Sequence, residues 1–134
     1  MKVGDILNKK IKARLDVGVD AFARALVGDE NHPLITGITR GNWVPSVDKP
    51  TLSQLYYGFS QGDILDAMTS NTLLISIGEA ENTATNFSWK LGDKLFWTNS
   101  LDHIIDLEIR RKFFDQIVHN ATIEAQAAIK RGKR

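Results

Sequence analysis

Cysteine is absent from this 134-residue chain. That excludes a disulfide scaffold, a thiolate metal site and a cysteine nucleophile. It fits assembly in a reducing cytoplasm. No apolar run approaches the ~20 residues that span a bilayer, so no membrane partner is expected. Met1 to Asn8 hold Lys2 and Asp5 but no apolar signal-peptide core. A net charge of +1 leaves no overall field to recruit a polyanion. Proline occurs three times, at Pro33, Pro45 and Pro50, and each limits the helix or strand beside it.

Hydrophobic residues make up 43% of the chain and charged residues 25%, a composition that builds the core of one soluble domain. Charge is unevenly placed. Lys2, Lys9, Lys10, Lys12 and Arg14 lie near the start, and Arg110, Arg111, Lys112, Lys130, Arg131, Lys133 and Arg134 near the end. Between them lie Asp48, Asp63, Asp66, Glu79, Glu81, Asp93, Asp102, Asp106 and Glu108. A self-assembling protein with basic ends and an acidic middle can join those faces across a subunit boundary. The plainer account is solvated helix faces and a basic tail frayed at about 130–134.

Ile6, Ile11, Leu15, Val19, Phe22 and Leu26 recur near helical spacing, predicting a helix over Val3 to Val27. Gly18 is a weak point inside it, and Gly28 suits a left-handed C′ position. Leu34 to Val47 reads as a turn and then a strand containing Ile38, Thr39, Trp43 and Val44. Asp48 to Gly62 reads as a long loop. Asp63 suits the cap of a short helix with Ile64, Leu65, Ala67 and Met68. Leu73 to Ile77 and Lys94 to Thr98 read as strands, with the polar stretch Glu79 to Lys90 as a loop. Leu101 to Glu108 reads as a short helix. Ile109 to Ile129 reads as a long one with Phe113, Ile117, Ala121, Ala125 and Ala128 on one stripe. The expected architecture is α+β, with long N- and C-terminal helices packed on a small antiparallel sheet and long loops between them.

Two motif blocks stand out. The first is Pro33-Leu34-Ile35-Thr36-Gly37-Ile38-Thr39-Arg40-Gly41-Asn42-Trp43. The second is Gly92-Asp93-Lys94-Leu95-Phe96-Trp97-Thr98-Asn99-Ser100-Leu101, closing at Leu107-Glu108. Their glycines suit tight turns, Trp43 a core, Arg40 a carboxylate and Asn99 a turn or cap. In this order, between two long helices, the blocks resemble the neck and tail-completion proteins of tailed bacteriophages. Thr36, Gly37, Arg40, Gly41, Asn42 and Trp43 match the first family block, and Gly92, Asp93, Thr98, Asn99, Leu107 and Glu108 the second. The chain departs from the pattern at Leu34-Ile35 and Asp102-His103.

The resemblance implies a structural virion protein assembled in the host cytoplasm as a cyclic homo-oligomer, with a hexamer favoured over a dodecamer. It implies neighbours in the head connector and in the tail terminator or tail tube. Genome DNA would pass the lumen without sequence specificity. A tail terminator or head-closure ring is the alternative within that class. Tyr56, Tyr57, Phe59, Phe87 and Trp89 are candidate inter-subunit contacts, since aromatics are enriched at interfaces. Arg40 is a candidate partner for Glu108.

Sharper chemistry finds little footing. His103, Asp106 and Glu108 are close in sequence but lack a further metal ligand at good spacing. Ser46, Ser53, Ser60, Ser70, Ser76, Ser88 and Ser100 are scattered outside any nucleophile-elbow pattern. No phosphate-binding loop or dinucleotide fingerprint occurs. Neither an enzyme nor a cofactor is expected. The competing class is a small DNA-binding protein that contacts phosphates through its basic termini.

Overall fold

The computed structural model describes residues 2–30, 32, 37–55, 59–100 and 114–132. Its elements are α1 (Val3–Gly28), α2 (Ile38–Gly41), β1 (Val44–Val47), α3 (Gln61–Ser70), α4 (Ile77–Thr85), β2 (Leu95–Thr98) and α5 (Phe114–Arg131). The architecture is the expected α+β, with long first and last helices and a small antiparallel sheet. The sheet is the pair β1–β2, in register Val44 with Thr98, Pro45 with Trp97, Ser46 with Phe96 and Val47 with Leu95.

α1 packs along α5 and also against α4. Its 26 residues make a rod of about 39 Å at 1.5 Å per residue. Gly18 is buried where α5 crosses, and a Cβ there would overlap the Ile129 side chain. What reads as a weak point is thus a place where the two helices approach too closely for a side chain. The end of α5 is capped from α1. Arg14 donates from Nε to the Ile129 carbonyl at 2.6 Å and from Nη2 to the Lys130 carbonyl at 2.6 Å. A cation there also meets the negative end of the helix dipole. Gly132, at φ 73, completes the stop by donating its N–H to the Ala128 carbonyl at 2.9 Å. On the α5 stripe, Ile117, Ala121 and Ala128 are buried as expected; Phe113 lies outside the described residues.

Five expectations are corrected. α1 ends through extended backbone at Asp29 (φ −63, ψ 134), not through a left-handed Gly28. Ile38 to Gly41 form a helical turn, so the strand starts later, at Val44. Ser60, not Asp63, caps α3. Its hydroxyl accepts from the Asp63 N–H while the Asp63 carboxylate accepts from the Ser60 N–H. The stretch Leu73 to Ile77 is not a strand: Ile75 is a buried anchor, and Ser76 caps the next helix. Most of the polar stretch after Glu79 is that helix, α4, started by a capping box between Ser76 and Glu79.

The core gathers Ala23, Leu26 and Val27 of α1, Ile38, Trp43, Ile75, Ala80 and Ala84 of α4, and Ile117 and Ala121 of α5. α4 is held to α1 by Arg24, which bonds Asp20 at 3.1 Å and Glu81 at 2.5 Å. Because Ala80 and Ala84 reach the core only when α4 is wound, its cap matters beyond the helix itself. Ser76→Ala is expected to lower stability by about 1 kcal/mol, read as a shift of the urea midpoint at unchanged slope. Among the described residues no helix is long and apolar enough to cross a membrane.

Candidate functional site

The two motif blocks meet in the fold. β1 follows the first block directly, and its partner β2 lies inside the second. Beyond the ladder, the Asn99 side-chain amide donates to the Thr39 carbonyl at 2.8 Å. The junction is polar yet closed to water. His32, Thr39, Arg40 and Asn42 are all buried there, beside the buried Trp43.

Each side chain has a positional reason. Gly37 takes φ 78 as the N-cap of α2, and its carbonyl accepts from the Gly41 N–H at 2.8 Å. A Cβ at Gly37 would stand 2.5 Å from the Ile75 carbonyl oxygen, so both the conformation and the space demand glycine. Asn42, fully buried, acts as a two-sided strap. Its Nδ2 donates to the carbonyls of Ile38 and Leu55, each at 2.8 Å, and its Oδ1 accepts from the Leu55 N–H at 2.6 Å. The long segment after β1 is thereby stitched to the junction. Gln54 adds a bond from its amide to the Ser100 carbonyl at 2.6 Å, and Ser100 donates to the Thr51 carbonyl at 3.2 Å.

The C-cap residue Asp29 acts as a hub. Its carbonyl accepts from His32 Nδ1 at 2.9 Å and from Arg40 Nη2 at 3.1 Å, and its carboxylate accepts from the Asn120 amide at 2.9 Å. Trp43 Nε1 donates to His32 Nε2 at 2.8 Å. These partners assign His32 as a neutral ring with its proton on Nδ1. Burial is the main force lowering its pKa, and the Arg40 charge adds to it. Burial also pulls the Arg40 guanidinium below its ordinary value, opposed by attraction to Asp29.

The consequence for stability has a definite sign. The folded pKa of His32 lies below the unfolded 6.5, so the unfolded chain binds the proton first. This contribution is fully present above about pH 6.5 and is lost as pH falls below it, at up to about 1.4 kcal/mol per pH unit. Urea midpoints are expected to fall between pH 7.5 and 5.5, and His32→Gln to flatten that dependence.

In the second block, Gly92 takes φ 95 in a turn where the Asp93 N–H bonds the Lys90 carbonyl at 3.1 Å. The Asp93 carboxylate accepts from the Lys90 N–H at 2.9 Å. Thr98 pairs with Val44. Thr36, Tyr56, Tyr57, Leu107 and Glu108 lie outside the described residues, as do His103, Asp106 and the Arg40–Glu108 contact. Arg40 Nε and Asn99 Oδ1 are buried without a hydrogen-bond partner among the described residues. Of the other aromatics, Phe59 packs against the core. Phe87 meets Trp97 edge to face at 5.5 Å, and Trp89 lies under the Lys12 ammonium at 3.9 Å. Each of these three keeps part of its surface exposed.

The Asp29–His32 hub and the Arg14 cap have no short motif to announce them. Ser60-Gln61-Gly62-Asp63 and Ser76-Ile77-Gly78-Glu79 do carry a signal, the spacing of a capping box. Among the described residues, no group of three or more histidine and acidic side chains is placed to hold a metal ion. Comparison with protein-family models, curated proteins and solved structures finds no match.

Proposed function

We propose that this chain is a structural protein of the bacteriophage neck, of the tail-completion type. It forms a ring, with six copies favoured, between the head connector and the tail, and DNA passes through without sequence-specific contact. Its work is geometric and requires no catalytic group or cofactor. A ring needs a head-to-tail interface that closes on itself. The finished particle is where the protein functions, after assembly in the host cytoplasm.

The observation that carries this reading is the junction of the two motif blocks. Residues that match the family pattern in separate parts of the sequence are brought together through the β1–β2 ladder and the Asn99–Thr39 bond. Arg40 and Asn42 are occupied in holding backbone carbonyls and Trp43 in bonding the His32 ring, which supports a scaffold over a reactive site. Partner contact then falls to the surfaces around the junction, including the part-exposed Phe59, Phe87 and Trp89.

Sedimentation and negative-stain imaging, alone and with the neck partners, test the proposal. The expected result is a closed ring, and virions lacking this chain are expected to accumulate as separate full heads and complete tails. Monomers under every condition would overturn it. DNA retention on filters with a steep salt dependence would instead favour the DNA-binding class.

A further inference from the structure

The face of α1 that packs on α5 runs beyond the end of its partner. At 100° per residue, Val3, Leu7 and Ile11 continue the line that holds Arg14 and Gly18, yet α5 stops at Arg131 beside Arg14. Val3 is 73% exposed, Leu7 54% and Ile11 50%. Lys10 borders this stripe, while Lys2 and Lys9 lie on the far side of the helix. The first half of α1 is therefore a projecting basic amphipathic arm. Because α1 is one unbroken helix from Val3 to Gly28, the arm cannot fold back onto its own domain.

A surface of opposite character lies on α3. A shallow groove of about 370 Å³ has Phe59, Ala67 and Leu74 as its apolar lining and Asp63 and Asp66 as acidic lining. Ser70 and Thr72 complete its lining. From Pro50 to Trp89 the chain contains Asp63, Asp66, Glu79 and Glu81 but no lysine, arginine or histidine. From Lys2 to Ala13 it contains four lysines, at 2, 9, 10 and 12, against the single Asp5.

We infer that the arm of one copy docks in the α3 groove of the next copy, its apolar stripe on the groove lining and Lys10 against Asp63 and Asp66. Charge complementarity within the same chain selects a second copy over a membrane or a nucleic acid, since neither of those would use the acidic groove. Arm and groove are different surfaces, so the contact is head-to-tail and propagates; with suitable rotation it closes into a ring. The inference rests on the self-assembly in the proposed function and assigns the surfaces that carry it.

The test is a charge swap in the full chain, read by sedimentation, with circular dichroism to confirm folding. Lys10→Glu reverses the charge that borders the stripe, and Asp66→Lys reverses the charge at its groove position while keeping the Ser60–Asp63 cap. Each variant alone is expected to associate about tenfold more weakly or worse and to shift towards the 15.0 kDa monomer. Mixed together, they are expected to reassociate, because each reversed surface then meets its complement. As a second readout, the cysteine-free background allows Leu7→Cys in one copy and Ser70→Cys, on the groove lining, in another. A mixed disulfide is expected on oxidation of the two together, and only monomer from brief oxidation in dilute denaturant. Rings unaffected by both reversals, with no mixed disulfide, would overturn the docking assignment and leave the neck reading standing. A wild-type chain that never associates would overturn both. An arm that binds anionic vesicles or DNA while self-association is insensitive to Asp66→Lys would overturn the assignment too.

Discussion

Trp43→Ala is expected to destabilise the fold by about 3–5 kcal/mol, the range for removing a buried tryptophan. The ring is 5% exposed, and it stands 5.1 Å from the Phe114 ring on α5. Its loss opens a cavity between the first motif block and the last helix. It also removes the donor to His32 Nε2, leaving a buried acceptor unmet. Trp43→Phe separates the two effects: most of the apolar area stays while the hydrogen bond goes, and a loss of about 1–2 kcal/mol is expected. Urea denaturation followed by circular dichroism measures both. If the alanine variant unfolded at the wild-type midpoint, Trp43 would not be a keystone of the junction. Because domains of this size hold only about 5–15 kcal/mol in total, the alanine variant is also expected to lose the proposed ring assembly through unfolding. The phenylalanine variant is expected to keep it.

Gly37→Ala is expected to cost about 4 kcal/mol, with two sources. A non-glycine residue at φ 78 carries about 1–3 kcal/mol of backbone strain. The new Cβ also meets the Ile75 carbonyl, and main chain on both sides leaves little to give way, adding about 1–3 kcal/mol of overpacking. Gly92→Ala is the matched comparison. It has a similar left-handed backbone, φ 95, but nothing within 4 Å of the added carbon. Its cost is expected to be strain alone, roughly half that of Gly37→Ala. Equal midpoints for the two variants would show that the approach to Ile75 yields freely.

These two positions also mark how much of the fold was open to sequence reasoning. The long helices were legible because Leu15, Val19, Phe22 and Leu26, and later Ile117 and Ala121, repeat at helical spacing. β2 was legible from Leu95-Phe96-Trp97. α4 was not, because its core-facing residues are Ala80 and Ala84. Alanine carries a weak hydrophobic signal, and the surrounding Glu79, Glu81, Asn82 and Thr83 dominate the pattern. Leu73 to Ile77 misled for the opposite reason: a dense apolar run buries Ile75 while Leu73 and Ile77 remain exposed. At Ile38-Thr39 the β-branched preference for strand gave way to tertiary context, because the Gly37 turn and the Asn42 strap wind those residues into α2. The motif residues were singled out by pattern, but their burial was not foreseen. Arg40 and Asn42 belong to types that ordinarily face water, and only the carbonyls of Asp29, Ile38 and Leu55 explain why they do not.

The Arg14 cap links residues 115 positions apart in sequence, and this has a consequence for biosynthesis. The first helix leaves the ribosome with Leu15, Phe22 and Leu26 lacking the helix they are shaped to meet. At about 5–20 residues per second, that wait lasts roughly 6–23 s. Throughout that interval the apolar residues of the first segment have no α5 to cover them. Only when α5 emerges does the core close and Arg14 find its carbonyls. Translation itself thus holds back closure of this core until α5 has been made.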